Sequence, residues 1–247
     1  MDKAYYKEYY HFERENWWFV VRYKIINYFL NKYLTNKSKI KILNIGVATG
    51  YSTELLMKYG EVVSLEYDKD CCKFISEKLN IEVIHGSITS LPFEDESFDL
   101  VCAFDVIEHV EDDELGVQEI RRVCKKNGLV FITVPAFMSL WSRHDEINFH
   151  FRRYKKNQIL QLFNKLQIIH KTYFNSFLFL PIYFFRTIIN LFPNFKKNAT
   201  GSDFSIFPKE SFINSIFKAI FNIEFYLLKF MIFPFGVSFL FIGKKNN

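Results

Sequence analysis

Between residues 40 and 135 one alternation repeats: a short run of apolar, often β-branched residues gives way to a small or acidic turn, then to a stretch with helical spacing. The runs KIKILNI, EVVSLEYD, IEVIHG, FDLVCAFD and LVFITVP read as five strands. Helices are predicted at TELLMKYG, ended by Gly60, over 69–79, and at DELGVQEIRRVCKKNG, ended by Gly128. Strands separated by helices call for a parallel, twisted sheet with helices on both faces. With 247 residues there is enough chain for one elaborated α/β domain, expected over 1–247.

The flanks read differently. Residues 5–34 carry Trp17, Trp18, Ile25, Phe29 and Tyr33 at helical spacing, so residues 1–38 are expected to form an N-terminal helical lid over a ligand-binding core at 40–135. Residues 136–247 begin with PAFMSLWSRHDEINFHFRRY, read as a lid-like loop, and continue with a helix at 155–164 and a strand at LQIIHKTYF. Two apolar segments, 176–192 and 211–233, precede a last strand at VSFLFIGKK. Arg186 and Asn190 interrupt the first segment and Lys218, Glu224 and Lys229 the second, so no membrane span is expected. Amphipathic helices that pack on the core, lie on a membrane or line an apolar pocket remain open.

Charge divides along the chain. Residues 1–150 hold 18 Lys and Arg against 24 Asp and Glu, whereas residues 151–247 hold 14 against 3. The basic residues of the second part are scattered singly among Phe, Leu and Ile, a pattern that suits an anionic lipid surface or lipid-like partner better than nucleic acid. The four cysteines lack paired metal-ligand spacing and read as reduced thiols of a cytoplasmic protein, with peripheral membrane contact as a further expectation. A monomer or a homodimer fits equally well.

The turn NIGVATGYST, after the first strand, is where an open parallel sheet presents backbone N–H groups to a ligand. A dinucleotide fingerprint needs G-x-G-x-x-G, and here Gly46, Ala48 and Tyr51 occupy those positions; no Walker lysine follows. The second strand closes on Glu66, and a carboxylate there can accept both hydroxyl protons of a ribose. These features admit a nucleoside cofactor without a pyrophosphate.

The runs ILNIGVATG, SLEYD, HGSITSLPFEDESFDLVCAFDVIEHVED and IRRVCKKNGLVFITVP resemble successive motifs of the class I S-adenosylmethionine-dependent methyltransferases, over roughly 40–135. ENWWFVVRYKII, LWSRHDEINFHFRRY and IFPFGVSFLFIGKK are similar in addition to a bacterial and archaeal subgroup associated with cell-surface glycan and lipid-linked sugar pathways. The resemblance implies a Rossmann-like seven-stranded sheet, mostly parallel with the last strand antiparallel, and a hydrophobic helical insertion before that strand. It implies S-adenosyl-L-methionine as cofactor. Asn44, Gly46, Val47, Ala48 and Gly50 would form the turn beside it, Glu66 would hold its ribose, and Tyr67, Ser87 and Ile88 would border its adenine. Phe104, Asp105 and His109 would border the methyl donor. Asn44 and Ser87 stand where the family usually has acidic residues and Ala48 where it has glycine; the changes at Asn44 and Ala48 are expected to weaken binding by about 1 to 3 kcal/mol in total.

Methyl transfer needs an in-line nucleophile and, for a hydroxyl acceptor, a general base. Asp105, His109, His144, Asp145 and His150 are candidate bases, with His144, held by a carboxylate, expected in that role. His150 and Arg153, with Arg152 and Tyr154, are expected to meet an anionic part of the substrate, and Trp18 and Arg22 to face the cleft from the N-terminal helix. His144, Asp145 and His150 could hold a metal, but acidic ligands are scarce there and none is expected. A small-molecule acceptor, such as a lipid-linked sugar or quinone-like compound, is the leading expectation. RNA or protein methylation, and a non-catalytic scaffold of the same fold, are the alternatives.

Overall fold

A computed structural model of the chain describes residues 3–34, 40–191 and 212–246. Seven strands, β1 (Ile40–Ile45), β2 (Gly60–Glu66), β3 (Val83–His85), β4 (Phe98–Phe104), β5 (Cys124–Pro135), β6 (Leu166–Phe174) and β7 (Ser238–Lys245), form one sheet in the order β3-β2-β1-β4-β5-β7-β6. The first five pair in parallel, and β7 lies antiparallel between β5 and β6. The expected sheet is thereby met. Its central strands are apolar on both faces: Val101, Cys102 and Ala103 of β4 and Val130 and Ile132 of β5 are fully buried, as helices on either side require.

The helices are α1 (Lys3–Glu15), α2 (Trp17–Tyr33), α3 (Tyr51–Leu56), α4 (Lys69–Leu79), α5 (Asp113–Val123), α6 (Arg143–Ile147), α7 (Lys156–Leu162), α8 (Phe179–Leu191) and α9 (Phe212–Leu228). The single helix expected over 5–34 is two. Asn16 breaks it with extended backbone, and its side chain accepts from Trp18 N, so α2 starts with its own cap. Helix α1 and the first turns of α2 border the cleft at the strand ends. Helix α2 is core, with Val21, Ile25, Ile26 and Phe29 buried, and it packs against α9, where Trp17 meets Phe217 and Phe221 edge-on at 5.3 and 6.0 Å.

Two glycines expected to end helices lie in strands instead. Helix α3 stops at Leu56, and Gly60 pairs with Ile40 so closely that a Cβ would lie 2.2 Å from Ile40 O. Helix α5 stops at Val123, because Cys124 already pairs with Phe98 and draws 124–128 into β5. The loop after β5 holds a short helix, α6, closed by a capping box between Ser142 and Asp145. Between β6 and β7 stand α8 and α9, the expected hydrophobic insertion. Residues 192–211, from the end of the first expected apolar segment to the start of the second, and 35–39, which include the end of the expected lid, lie outside the described residues.

Strand order reverses between β1 and β4. The loops after β1, β2, β3, β4 and β5 therefore open on the same end of the sheet, around a crevice at the switch point.

Candidate active site

That crevice is a cleft of about 1210 Å³ bordered by α1, α2, the β1–α3 turn, the loop 105–112, α6 and α8. At one end lies the turn Gly46–Gly50. Gly46 has φ +68, and a Cβ on it would meet Val106 Cγ2 at 2.5 Å, so both backbone and packing demand glycine. Ala48 adopts φ +47, and its N–H points at Glu66 Oε2 at 3.1 Å. Gly50, at φ +89, packs against Leu79 and Ile75 of α4 and stays outside the cleft, as does Val47.

Asn44 also lies behind the turn. Its amide donates to Ser52 Oγ at 2.8 Å and Thr53 Oγ1 at 3.0 Å, bracing the start of α3 rather than facing a ligand. Glu66 does face the cleft. Its Oε1 accepts from Tyr67 N and Asp68 N and its Oε2 from Ala48 N, which leaves about one acceptor position for a ligand hydroxyl rather than two. Burial raises its pKa while the three N–H groups pull it down. Tyr67 stands exposed at the rim, Ile88 is buried against the Gly116 position, and Ser87 Oγ caps Thr89 N at 3.2 Å.

Helix α1 is fastened over this end by polar contacts from three of its residues. Tyr6 donates to Asp68 at 2.6 Å, Arg14 pairs with Glu54, and the buried Glu13 accepts from Thr49 and, at 3.1 Å, from Tyr23. Glu13 lines the cleft and was not singled out from the sequence, where nothing marks it among the charged residues of α1.

The loop after β4 forms the middle of the cleft. Phe104 packs edge-on to Phe131 and Asp105 follows with φ +57, accepting from Thr133 Oγ1 at 3.0 Å and pairing with Arg22 at 2.9 Å. Arg22 is buried, bonds Thr133 Oγ1 as well, and lies 4.9 Å from the Trp18 ring. Its guanidinium thus neutralises Asp105 at the cleft wall. Glu108, in the 3₁₀ turn Ile107–His109, is fully buried, lines the cleft and has no hydrogen-bond partner on either carboxylate oxygen; burial first, then Asp105, raises its pKa well above the ordinary carboxylate range. The EHV step was read for its histidine alone. Desolvation and His150 lower the His109 pKa to about 4, which keeps that imidazole neutral at pH 7.

Within HDEINFHFRRY the structure redistributes the expected roles. Asp145 is fully buried and holds His150, whose Nδ1 lies 2.9 Å from Oδ1; His144 instead has Asn148 Nδ2 3.3 Å from its ring nitrogens. Burial would raise the Asp145 pKa, but His150 and Arg153 outweigh it and drive it well below the usual range. Arg153, expected on substrate, is buried on Asp145 at 2.7 Å. Arg152 pairs with Asp113 and donates to Glu111 O, and Tyr154 donates to Asp113 at 2.7 Å. Arg152 and Tyr154 face away from the cleft and pin the loop to α5. Phe151 N donates to Glu108 O at 2.8 Å, which fixes His150 relative to His109.

The wall contributed by α2, α8 and α9 is mainly apolar, with Trp18, Ile182, Phe185 and Phe217. Asn175, which joins β6 to α8 at φ +58, lines the cleft fully buried with both amide atoms unpartnered. The sequence carries no local signal for it.

Residues 43–132 match the methyltransferase-domain family. A Mycobacterium tuberculosis protein named as a probable S-adenosylmethionine-dependent methyltransferase is 28% identical over 152 residues, 60% of this chain and 54% of that protein. A demethylmenaquinone methyltransferase of Staphylococcus aureus is 30% identical over 117 residues, 42% of this chain and 48% of that protein. The chain thus spans about half the length of the curated relatives it matches. A solved Bacillus halodurans structure assigned as a methyltransferase superposes with a TM-score of 0.61 at 18% identity, covering 90% of this chain and 99% of the other, a likeness of fold. The matched segment holds the glycine turn, Glu66 and the loop after β4, so the likeness to the methyltransferase-domain family covers the part of the chain that lines the β1–β2 side of the cleft and its middle.

Proposed function

We propose that this chain transfers the methyl group of S-adenosylmethionine to a partly apolar small molecule. One observation carries the reading: a single cleft at the switch point joins the Gly46–Glu66 end to a mainly apolar wall holding Trp18, Phe185 and Phe217 and to isolated polar groups. Clefts of this kind bury most of a small ligand and orient it by a few polar contacts. The bound cofactor supplies an electrophilic methyl carbon, and the acceptor needs its lone pair aimed in line with the departing carbon–sulfur bond.

Glu66 holds the ribose, the Gly46–Ala48 stretch borders the cofactor, and Asp105, fixed by Arg22 and Thr133, borders the donor. His150 takes over the role expected of His144. Because an ionised carboxylate only accepts, Asp145 keeps the proton on His150 Nδ1 and leaves Nε2 free to accept the acceptor's proton. The acceptor is reached from an anionic lipid surface. Supporting this, Phe184 and Ile188 of α8, and Ile223 and Phe230 in and after α9, are exposed in the part of the chain with 14 basic residues against 3 acidic.

The reading is tested by calorimetric titration with S-adenosylmethionine and, separately, NAD, followed by incubation with cofactor labelled on the methyl group and a cell extract. Binding of the former alone, weakened in Glu66→Ala, and label in the organic-soluble small-molecule fraction are expected. Label in RNA or protein would favour those acceptors, and no cofactor binding would favour a scaffold.

A further inference from the structure

Glu108 poses a problem that methyl transfer does not solve. A buried carboxylate with no partner is costly, and this one lies on a cleft wall with both oxygens open. Two imidazoles stand beside it. One ligand atom each from Glu108, His109 and His150 lie within 4.8 Å of one another, the candidate metal grouping found among the described residues. It differs from the sequence-based set His144, Asp145 and His150, in which Asp145 is taken up by His150 and Arg153.

The support behind the grouping is that of a ligand set. The His109 and His150 rings lie 4.5 Å apart at 86°. Asp145 occupies His150 Nδ1, which orients the ring and leaves Nε2 as the nitrogen available to an ion; Asp145 itself is held by Arg153 and by Ser142 N at 2.8 Å. Metal-binding histidines are commonly braced through their second nitrogen by such a carboxylate. The Phe151 N to Glu108 O bond ties the two contributing segments together.

We propose that Glu108, His109 and His150 bind a divalent transition-metal ion at the acceptor end of the cleft, and that the ion holds an oxygen of the acceptor. Its second half rests on the methyltransferase reading. Two histidines and one carboxylate suit Zn²⁺, Mn²⁺, Co²⁺ or Fe²⁺ better than Mg²⁺, which prefers oxygen ligands, and they leave coordination positions open to the cleft. Bonds of about 2.1 Å bring ligand atoms to roughly 3.4 Å in tetrahedral geometry, a contraction that small turns of the His109 and His150 rings would supply. With the ion bound, His150 is a ligand rather than a base. The ion then lowers the pKa of the coordinated acceptor hydroxyl, its proton passes to water in the cleft, and the oxygen lone pair forms the bond to the methyl carbon as the carbon–sulfur pair returns to sulfur.

The test is titration of the full chain, stripped with EDTA, with Zn²⁺ by calorimetry and with Co²⁺ by visible absorption. Wild type, Glu108→Gln, His150→Gln and the β3 control His85→Gln are compared, and S-adenosylmethionine is titrated into each. One ion per chain, bound at micromolar concentration or tighter, at least tenfold more weakly in Glu108→Gln and His150→Gln and unchanged in His85→Gln, is the expected result. No ion binding by wild type, or equal binding by folded Glu108→Gln, overturns the proposal. The cofactor titration separates the two readings: cofactor binding without ion binding removes the metal site alone, whereas ion binding without cofactor binding removes the methyltransferase reading and leaves the site.

Discussion

Asp145 Oδ1 lies 2.9 Å from His150 Nδ1 and 2.7 Å from Arg153 Nε, so one buried carboxylate both orients an imidazole in the cleft and neutralises a buried guanidinium. Breaking such an arrangement on one side leaves the cation uncompensated, a loss of several kcal/mol when a pair is fully buried. Asp145→Asn keeps the shape and loses the charge, so a fall of about 3 kcal/mol in stability is expected from urea unfolding. The Nδ1 proton resonance of His150 should move or disappear in the same variant and persist in His144→Gln. An unmoved resonance in Asp145→Asn would detach His150 from Asp145.

The glycine turn predicts different outcomes at two small residues two positions apart. Gly46→Ala places a methyl at positive φ and 2.5 Å from the stiff Val106 side chain, and is expected to cost roughly 2 to 4 kcal/mol. In Ala48→Gly, relief of the strained φ of +47 offsets the entropy that glycine loses on folding, so stability should change by less than about 1 kcal/mol. Thermal melts of both variants check the contrast. Equal destabilisation by the two would mean that the Ala48 methyl contributes packing that outweighs the strain of its φ.

Local pattern made most of the sheet legible, because strands such as LVFITVP are buried on both faces and read as continuous apolar runs. The turn at Gly46 and the acid at Glu66 were legible for the same reason: each is set by its own strand end. The choice between His144 and His150 was not, since both lie within seven residues and the geometry of α6 decides which one Asp145 reaches. Arg152 and Arg153 read as ligands for an anion while their own carboxylates, Asp113 and Asp145, were invisible as partners. Glu13 and Asn175 enter the cleft from α1 and from the β6–α8 junction, far from the matched segment, and only the folded arrangement reveals them.

Apolar residues exposed on α8 and after α9 predict salt-sensitive attachment to anionic lipid. Lys229, 4.6 and 4.8 Å from the Phe225 and Tyr226 rings, puts a positive charge just after α9. The protein should co-sediment with phosphatidylglycerol vesicles at low ionic strength, and the double variant Phe184→Glu, Phe230→Glu should lower the bound fraction at least tenfold. Wild type that stays in the supernatant at low salt would remove the lipid surface from the acceptor's route.

Glu224 predicts a pH dependence of stability. It reaches from α9 to the start of the insertion, where Oε2 accepts from Ser176 N at 2.6 Å and Phe177 N at 2.9 Å while Oε1 has no partner. Burial pushes its pKa from the ordinary 4.5 up to about 7, against the pull of those N–H groups. Between these values the folded state holds a proton that the unfolded state has released. Its contribution is therefore complete below about pH 4.5 and is lost as the pH rises through 7, a change of about 3 kcal/mol at 1.36 kcal/mol per pKa unit. Glu224→Gln lacks that titration. Glu13, Glu66 and Glu108, whose pKa values are also raised, act on both proteins alike and cancel in the comparison. Urea midpoints at pH 5 and pH 8 should show the variant gaining on wild type as the pH rises; parallel profiles would mean that water or a shift of α9 solvates the carboxylate in the folded state.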